Sequence, residues 1–236
     1  IYDFGCGIYS DDAVNISGPL DLQIYDYGYA PKCCIKAAEL QVQDATLKLT
    51  SQKSNGISVS KDGMALTISN AALTVNAGNI GIRYGDYSRA LFENSTVNVT
   101  STSGNAIEGG DGGTGINIAN SDITAKALGT GDDSGYAINT YNYGFRIDDS
   151  SRLYLCGEFG AICANRSDLP LELYVGSEEL NCAAPGEAIK SDSINVGNGY
   201  NEETYVISGT GKLAKTISGG GTPYVLDDKT VNIGAR

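Results

Sequence analysis

The chain of 236 residues contains no histidine and no tryptophan. Without histidine there is no Ser/His/Asp or Cys/His nucleophile pair, no histidine-ligated zinc and no histidine general base. Any chemistry would fall to carboxylates, Lys, Arg or Tyr. Basic charge is scarce too: 16 Lys and Arg stand against 28 Asp and Glu, a net charge of -12 with a sequence pI near 4.3. Such a surface repels phosphate backbones, anionic lipid and acidic substrates, which argues against a nucleic-acid or membrane-surface partner. No apolar run approaches the ~18 residues of a membrane span, so membrane insertion is not expected. The chain starts at Ile1 without a leader-like segment and ends in strand-like Thr230-Val-Asn-Ile-Gly. It therefore reads as a mature or excerpted piece, monomeric as excerpted, of a larger surface protein.

What is present is glycine, tyrosine and cysteine: 31, 15 and 6 residues. Glycine is about twice its ~7% average, too low for collagen and suited to a turn-rich β protein. Six cysteines suggest bridges in a secreted chain, although buried thiols are the alternative.

A repeat organises the rest. A small residue followed by isoleucine recurs at Gly7-Ile8, Cys34-Ile35, Gly56-Ile57, Gly81-Ile82, Ala106-Ile107, Ala137-Ile138, Ala161-Ile162 and Ala188-Ile189, at spacings of 22 to 31 residues. A second row of alternating apolar residues ends at Ile16, Val42, Ile68, Phe92, Ile118, Ile147, Leu173 and Val196. A third row follows about five residues later, at Leu47/Leu49, Leu73/Val75, Val97/Val99, Ile123/Ala125 and Leu153/Leu155. All three rows show the period of two that marks a half-buried strand, and no segment sustains the 3.6 period of a helix. Between the second and third rows stands an Asx-small step: Asp44-Ala45, Asn70-Ala71, Asn94-Ser95, Asn120-Ser121 and Asp149-Ser150. Asn and Asp tolerate left-handed backbone, so one such residue per unit turns the chain sharply.

Three strands and three turns per unit predict an all-β fold: a right-handed, single-stranded parallel β-helix of about eight coils, with three strands per coil. Stacking at the ~4.8 Å strand separation creates one aliphatic core that no single coil could bury alone. Residues 1–196 read as the coils. Residues 197–236, where the pattern loosens into Ser208-Gly-Thr-Gly and Ser218-Gly-Gly-Gly-Thr-Pro, read as irregular final coils or a cap of the same domain, with Val231-Asn-Ile233 as one further strand.

Thr67-Ile-Ser-Asn-Ala-Ala-Leu-Thr-Val75 and Ala90-Leu-Phe-Glu-Asn-Ser-Thr-Val-Asn-Val99, each followed by Gly/Asn-rich turns and a small-Ile strand, resemble coils of pectate-lyase-like right-handed parallel β-helices. In tone they are similar to bacterial surface carbohydrate-binding β-helix domains. The resemblance covers about residues 5–197. It implies the fold, but the fold hosts lyases, hydrolases, adhesins and binding modules alike, so activity has to be read from the site.

The turn after the small-Ile row presents Asp11 and Asp12, Glu39, Asp62, Asp86, Asp111, then Asn142, Arg166 and Asp192, coil by coil. Tyr84 and Tyr87 fall on the same edge in Arg83-Tyr-Gly-Asp-Tyr, as do Tyr141 and Tyr143 in Thr140-Tyr-Asn-Tyr-Gly, beside the long loop Gly129-Thr-Gly-Asp-Asp-Ser-Gly135. Aromatic rings beside carboxylates offer a sugar an apolar face to stack on and acceptors for its hydroxyls. The candidate ligand-binding set is therefore Tyr84, Asp86, Tyr87, Glu108, Asp111, Tyr141 and Tyr143. The alternative is an ordinary turn edge with tyrosine covers. No cofactor is required; calcium is an option for the acidic edge, although no calcium-loop motif is present.

For catalysis the resemblance implies calcium-binding acids with an arginine base, for which Arg146, Asp148 and Glu172 are the nearest set. The coil before Asp148 offers only Asn117 and Ala119, so the match is poor. The hydrolase pattern of the fold needs a histidine that the chain lacks. Cysteines at equivalent coil positions predict bridges Cys6–Cys33 and Cys156–Cys182, with Cys34 inward and Cys163 outward.

These readings converge on a secreted or cell-surface bacterial module that binds polysaccharide without cleaving it. The alternatives are an adhesin-like structural spacer with a protein partner and a calcium-dependent polysaccharide lyase.

Overall fold

The computed structural model describes residues 6–26, 33–110, 115–130, 134–140, 145–147, 151–164, 171–175, 179–183, 187–190, 194–197, 207–208, 212–214 and 230–234. Every regular element among them is a β-strand. The small-Ile row forms a sheet of nine strands in chain order, from Cys6–Tyr9, Cys33–Ala37 and Asn55–Val59 through to Lys212–Ala214. All pairings are parallel, and the isoleucines align one above another: Ile8, Ile35, Ile57, Ile82, Ile107, Ile138, Ile162 and Ile189.

The second and third rows belong to one larger sheet of 15 strands. They are separate strands in later coils, for instance Ser88–Glu93 and Thr96–Ser101, or Gly115–Ala119 and Asp122–Ala127. In the first two coils they merge: Ala13–Asp26 and Glu39–Ser51 each run through the corner as one strand. Glu39–Ser51 pairs by its first half with Gly63–Ser69 and by its second half with Ala72–Ala77, which joins the rows into one bent sheet.

The result is a parallel β-solenoid of about five turns, fewer than the eight or so coils that the repeat predicts. Later strands extend the same sheets, while connecting segments such as 165–170 and 184–186 lie outside the described residues. Val231-Asn-Ile233 sits in a strand, Thr230–Gly234, that pairs with Glu179–Ala183.

Between the sheets lies one continuous core. Ile35, Leu40, Val42, Leu47, Leu49, Ile57, Leu66, Ile68, Leu73, Val75, Phe92, Val97 and Leu153 are all buried in it. Where the small residue before the isoleucine is glycine it has a steric cause, because the third row packs directly on it. A Cβ on Gly56 would lie 2.2 Å from Val75 Cγ1, and one on Gly81 equally close to Val99 Cγ1.

The Asx corner is built as the residue types suggest. Asp44, Asn70, Asn94 and Asn120 have φ of 54°, 48°, 50° and 45°, so a single left-handed residue makes each bend. Beneath them runs a serine ladder. Ser121 N donates to Ser151 Oγ (3.1 Å), Ser95 N to Ser121 Oγ (3.0 Å) and Ala71 N to Ser95 Oγ (3.2 Å). Main-chain donors that the bend would strand are thereby satisfied. One expected step shifts: Arg152 pairs with Asp122, which places Ser151 opposite Ser121. The ladder residue of that coil is Ser151 rather than Ser150, and Asp149 lies outside the described residues.

The two expected cysteine pairs are placed differently. Cys6 and Cys33 are register partners as expected, but their Sγ atoms stand 3.2 Å apart as two thiols without a bond. Cys156 pairs with Ala183 and Cys182 with Leu155, an offset of one residue that puts the two on alternate positions of the pleat. Cys156 is a thiol. The second row is offset as well, since Ile147 pairs with Val175 and not Leu173, so the positions nine residues after Ile147 and Leu173 are not equivalent. Cys34 is buried at the inward position. Cys163 pairs with Asn139 in the outward column, yet both are buried.

Candidate functional site

The edge after the small-Ile row is held by main-chain bonds from coil to coil. Ala38 N donates to Asp12 O (3.1 Å), Lys61 N to Ala38 O (2.8 Å), Gly85 N to Val59 O (2.8 Å), and Gly110 N to Tyr84 O (2.8 Å).

Tyr87 is the outlier of the edge. Its φ is 56° and its side chain is 63% exposed. A bulky residue at positive φ is uncommon and costs roughly 1–2 kcal/mol. Its carbonyl accepts from Gly63 N (2.8 Å), and Ser88 Oγ beside it donates to Lys61 O (2.7 Å). Cross-coil bonds thus hold the turn while the ring stands in solvent. Asp86 precedes it, also exposed, and packs against the next coil at Gly110, where a Cβ would lie 2.3 Å from its Oδ1.

Glu108 stands on the outward face of the nine-stranded sheet. It accepts from Asn105 Nδ2 (2.9 Å) and sits 3.5 Å from Arg83 Nε on the neighbouring strand. Tyr84 is placed differently from the expectation: it is fully buried in the core, its ring packed over Gly109, where a Cβ would come within 2.6 Å of the hydroxyl. Burial pushes its phenol well above the ordinary value. The reason is the period of two. Ile82 faces inward, so the residue two further along does as well. The structure therefore keeps Asp86 and Tyr87 exposed, leaves Glu108 only partly so, and removes Tyr84. Asp111, Tyr141 and Tyr143, with Asn142, Arg166 and Asp192, lie outside the described residues.

The acidic row is partly neutralised. Glu39 is ion-paired with Lys61 and accepts from Gln41 Nε2 (2.6 Å), contacts that hold its carboxyl below the ordinary range. Asp11 accepts from the Tyr9 hydroxyl (2.5 Å), which raises the phenol's pKa. Among the described residues no group of three or more Asp, Glu, Cys or His is arranged to hold a metal ion. Arg146 pairs in register with Tyr174 and Glu172 with Asn195, so the register does not set Arg146 opposite Glu172; Asp148 is outside the described residues.

No family model matches the chain, and neither does any curated protein or solved structure. The site has to be read from its own chemistry.

A second concave surface lies on the Asx corner, away from the edge singled out in the sequence. In the first coil the corner is not one left-handed Asx but a bulge, Ser17-Gly-Pro-Leu20, where the register slips against Glu39–Ser51 and Gly18 has φ of 93°. The bulge stands out at one end of a shallow, open groove of about 680 Å³ that runs past Asp44, Asn70 and Asn94. A Gly-Pro pair inside an alternating strand was the available signal for it.

Proposed function

We propose that the protein is a non-catalytic extracellular module that binds carbohydrate through its edge turns. The observation that carries this reading is Tyr87, an aromatic ring held in solvent on a strained backbone beside Asp86. Strain of this kind persists where the surrounding structure enforces it, and it gathers at sites of recognition. An exposed ring supplies the stacking face for a sugar, and Asp86 and Glu108 supply acceptors for hydroxyls. The likeness of the Thr67–Val75 and Ala90–Val99 coils to pectate-lyase-like helices and bacterial surface glycan-binding domains supports the same ligand class and an extracellular location. A net charge of -12 favours neutral glycans, or acidic ones bridged by calcium.

The test is a glycan array with and without calcium, followed by titration of the best ligand. Tyr87→Ala is expected to weaken binding at least about tenfold, about 1.4 kcal/mol. Tyr154→Ala, which removes an exposed ring from the third-row face, should leave it unchanged. No bound glycan, or equal binding by Tyr87→Ala, overturns the proposal.

The third-row face favours a second reading. Its outward positions, among them Thr46, Thr50, Thr74, Thr96 and Thr100, make a regular polar surface suited to a spacer with a protein partner. A null array in both conditions would leave that reading.

A further inference from the structure

The groove on the Asx corner has features that the solenoid does not need for its own stability. Its far wall is the first-coil bulge, where Leu20 is 42% exposed although the chain could have turned on one Asx residue as every later described corner does. Its exposed apolar lining is Ala72 with Leu20, while Ala45 and Ala71, at the positions that Ser95 and Ser121 take in the following coils, are buried behind it. Along the groove, Asn70 and Asn94 repeat once per coil, with Thr46 and Thr96 beside them. Asn94 already takes part in an amide contact, its Oδ1 accepting from Asn120 Nδ2 at 2.7 Å.

We infer that this groove is a second binding site, for a neutral oligosaccharide chain lying along the solenoid axis. Amides that recur at the ~4.8 Å coil spacing offer one donor–acceptor pair per step of an extended chain of sugars. Ala72 and Leu20 meet the C–H faces of the rings, and the threonine hydroxyls and amides meet their hydroxyl edges. Charge selects against anions, because Asp21 and Asp44 line the groove and no Lys or Arg does. A peptide strand is a poorer occupant, since the corner turns its main chain through the left-handed region and exposes no straight strand edge to pair with. The inference shares its ligand class with the edge reading and rests on it in that respect, but it uses none of the same residues.

The experiment is amide-resonance mapping on the full chain with cellohexaose, xylohexaose and mannohexaose, beside an oligouronate of the same length. At least one neutral hexamer is expected to shift the amides of Leu20, Ala72 and Asn94 with saturation, and the oligouronate is expected not to. Asn70→Gly with Asn94→Gly removes both amides and keeps a residue that accepts positive φ, so the corner itself is preserved. This pair should weaken corner binding at least about tenfold, as should Leu20→Ser, while Tyr87→Ala should leave it unchanged. Shifts confined to residues around Tyr87 overturn the corner site and leave the edge reading intact. No corner shift with any of the three neutral hexamers, or corner shifts insensitive to both sets of substitutions, overturns the corner site. Corner shifts that persist when Tyr87→Ala has no effect on any glycan uphold the corner and overturn the edge.

Discussion

At the scale of single residues, Tyr84 and Tyr87 make the sharpest contrast in the molecule. They are three positions apart in Arg83-Tyr-Gly-Asp-Tyr, and one is buried while the other is the most exposed large apolar side chain described. Tyr84 follows the alternation of its strand, whereas Tyr87 sits after the strand in a left-handed turn, where alternation no longer applies. If the strain at Tyr87 serves binding, then removing it separates stability from function. Tyr87→Gly is expected to raise the unfolding free energy by about 1 kcal/mol, since glycine accepts φ near 56° without a Cβ penalty. The same variant should lose edge-dependent glycan binding. Urea denaturation gives the first quantity and titration the second; a destabilised Tyr87→Gly would show that the ring is a structural cover.

At the scale of the element, the corner is where sequence and structure agree most closely. At four described corners a single Asx residue, Asp44, Asn70, Asn94 or Asn120, each near φ of 50°, does the work of a loop. Its chemistry is local, so its expected effect of mutation is local as well. Asn94→Ala forces alanine into the left-handed region and should cost roughly 1–2 kcal/mol, whereas Asn94→Gly should be close to neutral. Thermal melts of the two variants would distinguish a conformational role from a hydrogen-bonding one, because equal losses would point to the Asn120 amide contact instead. The strands on either side were legible for an equally local reason, the alternation of Leu47/Leu49, Leu73/Val75 and Val97/Val99, whose predicted cross-coil partners are those observed. The bulge at Ser17–Leu20 was not, because a Gly-Pro pair announces an interruption without saying which way the chain will be displaced.

At the scale of the whole molecule, stability is a sum of coil interfaces. Cys6 and Cys33 bridge the first such interface as adjacent thiols. Oxidation by glutathione disulfide is expected to join them, lowering the intact mass by about 2 units through loss of two protons and two electrons. Tying the first coil to the second across 27 residues should stabilise the chain by about 2–4 kcal/mol. Cys156 and Cys182, offset by one register position, should not pair. Mass spectrometry of peptides after oxidation checks both statements, and a Cys156–Cys182 peptide would contradict the register.

The amino-acid sequence alone determined that the chain is a parallel β-solenoid, where its isoleucine rows stack, and that a left-handed Asx turns the corners at Asp44, Asn70, Asn94 and Asn120. These follow from short-range periodicity and from the backbone preference of single residues, both of which are written locally. Only the tertiary structure decided that Tyr84 is buried and Tyr87 exposed, that Cys156 misses Cys182 by one step, and that the first corner bulges into a groove. Those outcomes depend on the summed lengths of strands and turns between coils, where one residue more or fewer moves a side chain to the opposite face.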